Sequence, residues 1–398
     1  MKWASAIYEG EPSPASFEKI REEIVSAMEG HPIDLAFLFV SPYSDKGCDA
    51  AIAALYRALD CHTLIGCLAG GLIGGNKELE RYPGISLVTA HMPGVTCIPF
   101  HLRNDDLPDM DASPKLWQEK LKADAGQDPQ FVLLGDPLSF DMEKGLMGLD
   151  FAYPKATKVG GLASSGGRQN SLFVNDHIYV SGMIGVALSG NLRIATLVAQ
   201  GCRPIGTPLS ITRCDRNLLI EVDHKPPMVI IQELFEACHE ADRELMQHAL
   251  FLGLAMTPFK EAPAHGDFLI RNLVGIDPKT GHIAVGAYLR EGQTLQFHLR
   301  DAKTSSEDLQ WLLTQYQLEE RPDTAQGALL FSCLGRGEHL FGVPNHDSQL
   351  FQSYFGPIPL GGFFCNGEIG AVGGSTFLHG YTSCFGIFQE KGGAVASS

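Results

Sequence analysis

Gly66-Cys67-Leu68-Ala69-Gly70-Gly71 is a short glycine turn that this chain repeats twice more. The later copies are Gly160-Gly161-Leu162-Ala163-Ser164-Ser165-Gly166 and Gly361-Gly362-Phe363-Phe364-Cys365-Asn366-Gly367. Each copy joins a glycine pair, or Gly-Cys, to small or apolar residues and a further glycine. A match of this kind at three places indicates that a larger unit is repeated.

Each glycine turn follows an apolar run that is typical of a buried strand. The runs lie at 35–40, 131–134 and 329–331. A helix-like stretch separates each run from its turn, at about 45–59, 139–152 and 347–355. Strand-like sequence returns after every turn. The chain therefore predicts a βαβ-like unit used three times, and its period of about a hundred residues indicates duplication, since a solenoid repeat is shorter.

These units predict an α/β fold of the mixed α+β kind, with duplicated βαβ-like units, mixed sheets and two domains. The first domain, 1–195, holds two repeat units, and 196–260 forms a junction with a helical spacer. The second domain, 261–390, holds the third unit. Strand-like runs within 268–299 favour an antiparallel meander. The end, 391–398, loses periodicity and is expected to be a flexible tail.

The net charge excludes some classes of partner. The chain of 398 residues carries a formal net charge of −16 at pH 7, which works against binding to phosphate backbones or anionic membranes. No apolar run approaches the ~20 residues of a membrane-spanning helix. The start of the chain lacks the apolar segment of a signal peptide, so a cytoplasmic location is expected.

The cysteines predict neither disulfides nor structural zinc. Ten cysteines are scattered along the chain without a C-x-x-C pair. Most of them are expected to be buried thiols that pack as small apolar side chains.

Charged and polar residues concentrate around the third glycine turn. Arg336 follows the buried strand, Glu368 follows the turn, and His379 lies on the next strand. These residues are expected to meet, because ligands collect at the strand ends of open α/β sheets. Arg336 suits a bidentate contact with a carboxylate, and Glu368 suits an amine. The alternative is that Arg336 and Glu368 pair with each other in the core.

No recognised catalytic pattern accompanies these residues. Cys333 or Cys365 with His379 is conceivable as a thiol pair, and Ser164 or Ser165 as a hydroxyl nucleophile. Neither serine lies in a G-x-S-x-G elbow. An enzyme is therefore the weaker interpretation.

Phosphate and metal sites are also weakly indicated. The glycine turns lack the G-x-x-x-x-G-K-[ST] pattern of a phosphate-binding loop. Glycine's other use, the close approach of two backbones, needs no ligand. His339, His346, Asp347 and His379 lack the spacing that places two histidines on one helical face. No metal and no cofactor is expected.

At this point the residues resemble a known family. Gly66-Cys67 with Gly70-Gly71, and Val159-Gly160-Gly161-Leu162-Ala163, resemble the FIST N domain. The C-terminal stretch resembles the FIST C domain through Cys333-x-Gly335-Arg336-Gly337, Gly367-Glu368-Ile369 and His379-Gly380-Tyr381-Thr382. The likeness covers nearly the whole chain, so that 1–195 is FIST N-like and 261–390 is FIST C-like.

The resemblance implies a non-enzymatic sensory module that binds a small, amino acid-like ligand and transmits a signal. Since no output segment accompanies the two domains, a separate signalling or effector protein is expected to receive that signal. The family motif supplies no established catalytic residue. Nucleic acid and an integral membrane segment are not expected.

The ligand site is predicted in the FIST C-like part. Its expected members are Cys333, Arg336, Gly337, Phe363, Cys365, Asn366, Gly367, Glu368, His379 and Thr382. The secondary glycine turns contribute Gly66, Cys67, Gly70, Gly71, Gly160, Gly161 and Ser164. On this hypothesis Arg336→Ala abolishes ligand binding and leaves the fold near normal, whereas a buried ion pair predicts a loss of folding cooperativity.

Two other functions remain open at this stage. A protein-interaction scaffold without a small ligand predicts an exposed apolar patch of about several hundred Å². A cysteine-dependent enzyme using Cys333 or Cys365 predicts a lowered thiol pKa.

Overall fold

The computed structural model describes residues 1–45, 47–109, 111–166, 169–257, 266–319 and 324–391. The chain divides into two compact bodies. The three-repeat body consists of Met1–Val198, Gln310–Leu378 and the residues from Thr382 onward. The barrel body consists of Ala199–Leu309 and His379–Tyr381, so it is inserted within the third repeat. The predicted tail beyond residue 391 lies outside the described residues.

The first two repeats have the same order of elements. The first contains β1 (Lys2–Glu9), α1 (Pro14–Ala27), β2 (Leu35–Val40), α2 (Gly47–Leu59), β3 (Thr63–Leu68), β4 (Gly71–Gly74), β5 (Lys77–Leu79) and β6 (Gly84–His91). The second contains β7 (Val95–Leu102), α3 (Pro114–Leu121), β8 (Gln130–Gly135), α4 (Met142–Ala152), β9 (Lys158–Leu162), β10 (Leu172–Val174), β11 (His177–Tyr179) and β12 (Met183–Gly190).

The third repeat begins with β13 (Arg193–Ala199) and is then interrupted by the barrel body. The barrel elements are β14 (Cys202–Asp215), β15 (Leu218–Val222), α5 (Pro227–Ala237), α6 (Glu240–Met246), β16 (Leu250–Ala255), β17 (Phe268–Ile276), β18 (Ile283–Val285) and β19 (Thr294–Arg300). The repeat resumes with α7 (Ala302–Glu319), β20 (Ala325–Cys333), α8 (Glu338–Phe341), α9 (His346–Phe355), β21 (Leu360–Cys365), β22 (Glu368–Val372), β23 (Ser375–His379) and β24 (Ser383–Gln389).

The three-repeat body contains three six-stranded sheets, and each sheet includes a hairpin from another repeat. Sheet 1 has the order β1-β6-β2-β3-β10-β11, so it ends with the hairpin of the second repeat. Sheet 2 has the order β7-β12-β8-β9-β22-β23, and sheet 3 has the order β13-β24-β20-β21-β4-β5. The hairpins are therefore exchanged in a cycle, which the sequence pattern did not predict.

Parallel and antiparallel pairs occur at matching places in the three sheets. The strands on either side of α2, of α4 and of the α8–α9 pair run parallel, as in β2–β3, β8–β9 and β20–β21. The last strand of each repeat runs antiparallel, as in β2–β6, β8–β12 and β20–β24. The prediction of duplicated units with mixed sheets is confirmed.

One glycine in each repeat is required by the close approach of two strands. A Cβ atom at Gly66 would lie 1.9 Å from the carbonyl oxygen of Leu38. A Cβ atom at Gly160 would lie 1.8 Å from the carbonyl oxygen of Leu133, and one at Gly362 would lie 1.9 Å from that of Leu330. Any larger residue would collide with the parallel neighbour, so these glycines have a packing reason that needs no phosphate ligand.

The three sheets share one inner core and have helices on their outer faces. Phe37, Val132 and Phe331, one from each repeat, belong to the same buried cluster. Outside sheet 1, α1 and α2 contribute Ile20, Ile24 and other apolar residues to a second cluster. Strands buried on both faces carry apolar residues at every position, which explains the continuous run at 35–40.

The barrel body differs from the predicted spacer and meander. Strands β14-β15-β18-β17-β16-β19 form a closed barrel. Between 196 and 260, where a helical spacer was expected, lie three of these strands as well as α5 and α6. In the expected meander, β17 pairs with β18, but β19 pairs with β14 and β16. Barrel closure gives β19 two partners that are distant in sequence.

The predicted domain limits follow the linear order of the chain, whereas each compact body is assembled from separated segments. Among the helices of the described ranges, not one has the length and apolarity to cross a membrane.

Candidate functional site

The three glycine turns meet one another in the three-repeat body. The Ser164 amide donates to the Leu68 carbonyl at 3.3 Å, and the Asn366 amide donates to the Leu162 carbonyl at 3.1 Å. The third contact uses a side chain, because the Ser164 hydroxyl accepts from the Gly70 amide at 2.9 Å and donates to the Phe364 carbonyl. Ser164 therefore joins the first and third turns, and its hydroxyl is occupied by this structural role.

Replacing Ser164 is expected to weaken this contact between turns. Ser164→Ala leaves the Gly70 amide and the Phe364 carbonyl without this partner, and such a loss in a buried place costs about 1–3 kcal/mol of unfolding free energy. Chemical denaturation measures the change. Ser353→Ala is the control, since that exposed hydroxyl donates only within its own helix and should alter stability by less than about 0.5 kcal/mol. Equal effects in the two variants would contradict the assigned role.

Arg336 and Asp347 form a buried ion pair at the end of β20. The Arg336 Nε donates to Asp347 Oδ2 at 2.8 Å and Nη2 donates to Oδ1 at 3.0 Å. Asp347 also accepts from the Ser383 hydroxyl and contacts His346 Nδ1 at 3.0 Å. Arg336 is fully buried, and its guanidinium lies 5.2 Å from the centre of the Phe341 ring. The bidentate contact expected of Arg336 is thus made to a carboxylate of the protein itself.

The environment of Asp347 favours its charged form. Burial acts to raise the pKa of Asp347, but the Arg336 charge and the hydrogen bonds from His346, Arg336 and Ser383 outweigh burial. Together they hold the pKa of this carboxyl well below its ordinary value. Asp347 is therefore an anion over the whole physiological pH range.

Glu78 brings a second carboxyl group to this cluster from the hairpin of the first repeat. Its Oε1 accepts from the Ser348 amide at 2.7 Å, and its own amide donates to Asn345 Oδ1 at 2.7 Å. Glu78 is only 7% exposed, and its Oε2 has no hydrogen-bond partner among the described residues. Burial, with the nearby Asp347 charge, raises the pKa of Glu78 to about 8. This carboxyl group is thus mostly protonated at neutral pH.

Glu368 forms the other part of the polar network. Its Oε2 accepts from the Thr382 hydroxyl at 2.7 Å and from the Thr382 amide at 3.1 Å. Its Oε1 contacts Cys365 Sγ at 3.4 Å. Thr382 precedes Ser383, which donates to Asp347, so adjacent residues at the start of β24 contact both acids. We call this set of buried polar groups, with Glu78, Arg336, Asp347, Glu368 and Thr382 at its centre, the third-repeat network.

Comparison of the three repeats shows that the fold does not need acids at these positions. On its partner strand, Glu368 pairs with the residue that follows the close-approach glycine. In the other two sheets, the residue that makes the equivalent pair is a leucine. The pairs are Leu72 with Phe363, Leu172 with Cys67, and Glu368 with Gly161. Glu78 also has an apolar equivalent. Glu78 pairs with Ile73 in the hairpin of the first repeat, and Ile178 makes the equivalent pair with Phe173 in the hairpin of the second repeat. Apolar side chains thus serve the same fold elsewhere.

The structure places the other predicted site residues in differing surroundings. Phe363 is a core residue whose ring lies 4.8 Å from that of Phe39. Gly337 has φ of 85° and is the N-cap of α8, and a Cβ there would lie 2.3 Å from the Glu80 carboxylate. The Cys333 amide donates to the Thr382 carbonyl at 3.0 Å. Gly337 and Cys333 border the third-repeat network, whereas Phe363 faces the inner core.

The third glycine turn is held mainly by the second repeat. The Gly367 carbonyl accepts from the Leu162 amide at 2.9 Å, and Asn366 Nδ2 donates to the Ala163 carbonyl at 3.1 Å. His379 is buried and is grouped with the barrel body. The sequence-based hypothesis that His379 joins the Arg336 site therefore remains a prediction.

The alternative pairing of Arg336 with Glu368 missed the principal partners. Arg336 has Asp347 as its bidentate partner, and Glu368 has Thr382 and Cys365. The sequence indicates Asp347 only as a metal ligand and gives no indication of Glu78. Nothing in the short stretch Lys77–Leu79 marks Glu78 as buried, because its partners Asn345 and Ser348 lie at the start of α9 in another repeat.

Cys365 and Cys67 lack the environment of a nucleophile. Burial and the nearby Glu368 raise the pKa of Cys365 well above its ordinary value, and burial does the same for Cys67. The part of the chain that the structure describes holds no group of three or more His, Cys, Asp or Glu side chains placed to hold a metal ion. The geometry instead offers buried hydrogen-bonding groups of both charges.

Two family models match the chain. The FIST N domain matches residues 34–225 and the FIST C domain matches residues 228–371. Uncharacterized protein Rv0628c of Mycobacterium tuberculosis (strain ATCC 25618 / H37Rv) is 35% identical over 372 residues, which cover 93% of this chain and 94% of that protein. Uncharacterized protein Mb0898c of Mycobacterium bovis is 34% identical over 366 residues, which cover 91% and 92%.

More distant matches are partial or weak. The F-box/LRR-repeat protein At5g63520 of Arabidopsis thaliana is 33% identical over 115 residues, which cover 25% of this chain and 22% of that protein. A solved cyanuric acid hydrolase structure aligns over 98% of this chain and 100% of its own, with a TM-score of 0.33 and 10% sequence identity. At that score the alignment supports no conclusion about chemistry.

Proposed function

Because the chain belongs to the FIST family of sensory, small-ligand-binding domains, we propose that it is a non-enzymatic sensor whose ligand site is the third-repeat network. The proposed ligand is an amino acid or a related small metabolite. A separate effector protein receives the signal.

The observation that supports this site is the presence of Glu368 where the other two repeats have Leu72 and Leu172. A buried carboxyl group costs free energy unless it is well satisfied, whereas a leucine at the same place contributes to the core. A fold that accepts leucine twice has no structural need for an acid in the third copy. Such a cost is typical of a group kept for binding.

The chemistry of the network suits a small molecule with both charges. Arg336 is positive, Asp347 is negative, and Glu78 and Glu368 bring two further carboxyl groups. An amino acid presents a carboxylate and an ammonium group, which match these partners. The network is closed around its own ion pair, so binding must favour a second arrangement of these loops. The effector then distinguishes the two arrangements, since a ligand shifts an equilibrium only through its differential affinity.

Thermal unfolding against a panel of amino acids and small carboxylates tests the site. A ligand at ~100 times its dissociation constant adds about 2.7 kcal/mol to stability, which raises the Tm by a few degrees. In Glu368→Leu we expect this ligand-induced shift to vanish. The Tm without ligand should change little, because the leucine that the equivalent positions hold offsets the loss of the acceptor for Thr382.

Leu172→Met is the matched control for Glu368→Leu, since it changes the equivalent residue of another repeat with little change in volume. It should keep the ligand-induced shift. A shift that survives in Glu368→Leu would place the ligand elsewhere. No shift with any compound in the wild type would contradict the proposed ligand class.

A further inference from the structure

The two oxygens of the Glu78 carboxyl group differ in what they contact. The first amides of α9 have no carbonyl of their own helix to donate to, and the Asn345 side chain at the N-cap does not accept from them. Glu78 Oε1 takes this part, since it accepts from the Ser348 amide at 2.7 Å. The other oxygen, Oε2, is buried and has no hydrogen-bond partner among the described residues.

Neither protonation state of Glu78 satisfies Oε2 within these contacts. An ionised carboxylate presents an acceptor there that receives no hydrogen bond, and a protonated oxygen presents a donor that has no acceptor. A buried polar group in this condition costs free energy, and its presence in a folded protein requires a reason. Capping α9 needs a single acceptor, so it explains Oε1 and leaves Oε2 for a partner from outside the chain.

The charges around Glu78 favour a cation as that partner. Strand β4, which pairs with β5, carries no titratable side chain. The titratable and charged groups are Asp347 and His346 from α9, Glu338 from α8, Arg336 before α8, and Lys77, Glu80 and Arg81 from β5 and the residues after it. Arg336 is held by Asp347 in the bidentate contact, while the negative charges of Asp347 and Glu80 act on Glu78 directly. An anion would add a further like charge, whereas an ammonium group relieves the existing repulsion.

We propose that the ligand of the third-repeat network carries a primary amino group, and that its ammonium form binds Glu78 Oε2 while the Glu78 proton leaves to solvent. This inference rests on the function proposed above and identifies one contact within it. An ammonium N–H donates to the ionised Oε2, and the O–H bond of Glu78 is the only covalent bond that breaks. Because Glu78 is buried, the amine reaches it in the second arrangement of the loops described above.

Paired compounds test the requirement for an amino group. Thermal unfolding of the full-length chain is measured with each standard amino acid and with its α-N-acetyl derivative, which keeps the carboxylate and the side chain but has no charge at that nitrogen. An amino acid that raises the Tm should lose at least ~10-fold in affinity on acetylation, because the charge-assisted contact to Glu78 is gone. Equal binding of both members of a pair overturns this inference and leaves the function proposed above standing. No Tm shift with any amino acid or small carboxylate overturns both.

The pH dependence of binding provides a second test. Calorimetry with the stabilising amino acid should show ~10-fold tighter binding at pH 7 than at pH 6, because Glu78, with a pKa raised to about 8 by burial, must release a proton. The ammonium group stays charged over this range. Glu78→Gln should remove the dependence, whereas Glu23→Gln, which neutralises an exposed carboxylate of α1, should keep it.

A pH dependence that persists in Glu78→Gln, as one carried by His346 would, overturns the inference. Binding by the wild type that is equally tight at pH 6 and pH 7 overturns it as well. If Glu78→Gln does not fold, the acetylated pairs and the pH dependence of the wild type decide the question.

Discussion

Asp347→Ala lowers the free energy of unfolding by about 3–5 kcal/mol, the largest effect that we expect from a single substitution here. The fully buried Arg336 guanidinium makes two hydrogen bonds to this carboxylate, and Ser383 and His346 contact it as well. Removing the anion leaves the Arg336 charge in the protein interior without the group that balances it. Chemical denaturation followed by circular dichroism measures the loss.

A double variant distinguishes two free energies: the cost of leaving one buried charge without its partner, and the net stabilisation that the intact ion pair provides. Arg336→Met with Asp347→Leu removes both charges and keeps approximate volume, and it should recover most of the stability that Asp347→Ala loses. A double variant as unstable as Asp347→Ala would show that the pair itself carries the stability. Arg336→Ala is expected to destabilise the protein in the same way as Asp347→Ala, so loss of ligand binding in that variant would not identify the site.

The stability of the wild type should fall as the pH rises from about 5 to 8, because of Glu78. The folded protein holds the Glu78 proton up to a pKa of about 8, whereas the unfolded chain releases it near 4.5. The contribution of this protonated carboxyl is therefore complete below the unfolded pKa and is lost as the pH rises through the folded pKa. The free energy of unfolding should fall by at most about 1.4 kcal/mol per pH unit, and this fall is the slope that the experiment measures. Denaturation at several pH values measures it.

Glu78→Gln should remove this slope, since glutamine keeps the acceptor for the Ser348 amide but has no proton to lose. The neighbours Glu80 and Asp347 remain in the variant, so the difference between the two proteins isolates Glu78. Glu80→Gln is the control, because that carboxyl is less buried and accepts from the Glu338 amide at 2.8 Å. A wild-type slope between pH 5 and 8 that persists unchanged in Glu78→Gln would contradict the assignment.

The repeated unit is predictable from sequence because its evidence is local. The apolar run at 35–40 and the glycines of each turn recur at matching places, and the collision of a Cβ at Gly66 with Leu38 explains why glycine recurs. The exchange of hairpins is not predictable in this way. Gly71–Gly74 carries no mark of pairing with β21, since strand periodicity fixes the faces of a strand and leaves its partner undetermined.

The candidate site is predictable only in its central residues. Arg336 and Glu368 stand out because one follows the buried strand and the other follows the glycine turn of the third copy. Their partners come from other elements: Asp347 from α9, and Thr382 from the start of β24. Glu78 belongs to a different repeat altogether. Contacts across hundreds of residues follow from the topology, which a single sequence does not show.

The exchange of hairpins also determines when the protein can fold during synthesis. The strand containing Leu72 pairs with the strand containing Phe363, which the ribosome delivers roughly 290 residues later. At about 5–20 residues per second, the hairpin of the first repeat waits roughly 15–60 s for its sheet. Apolar strands of a nascent chain remain exposed during that interval. The hairpin of the first repeat therefore pairs only after the third repeat has been synthesised.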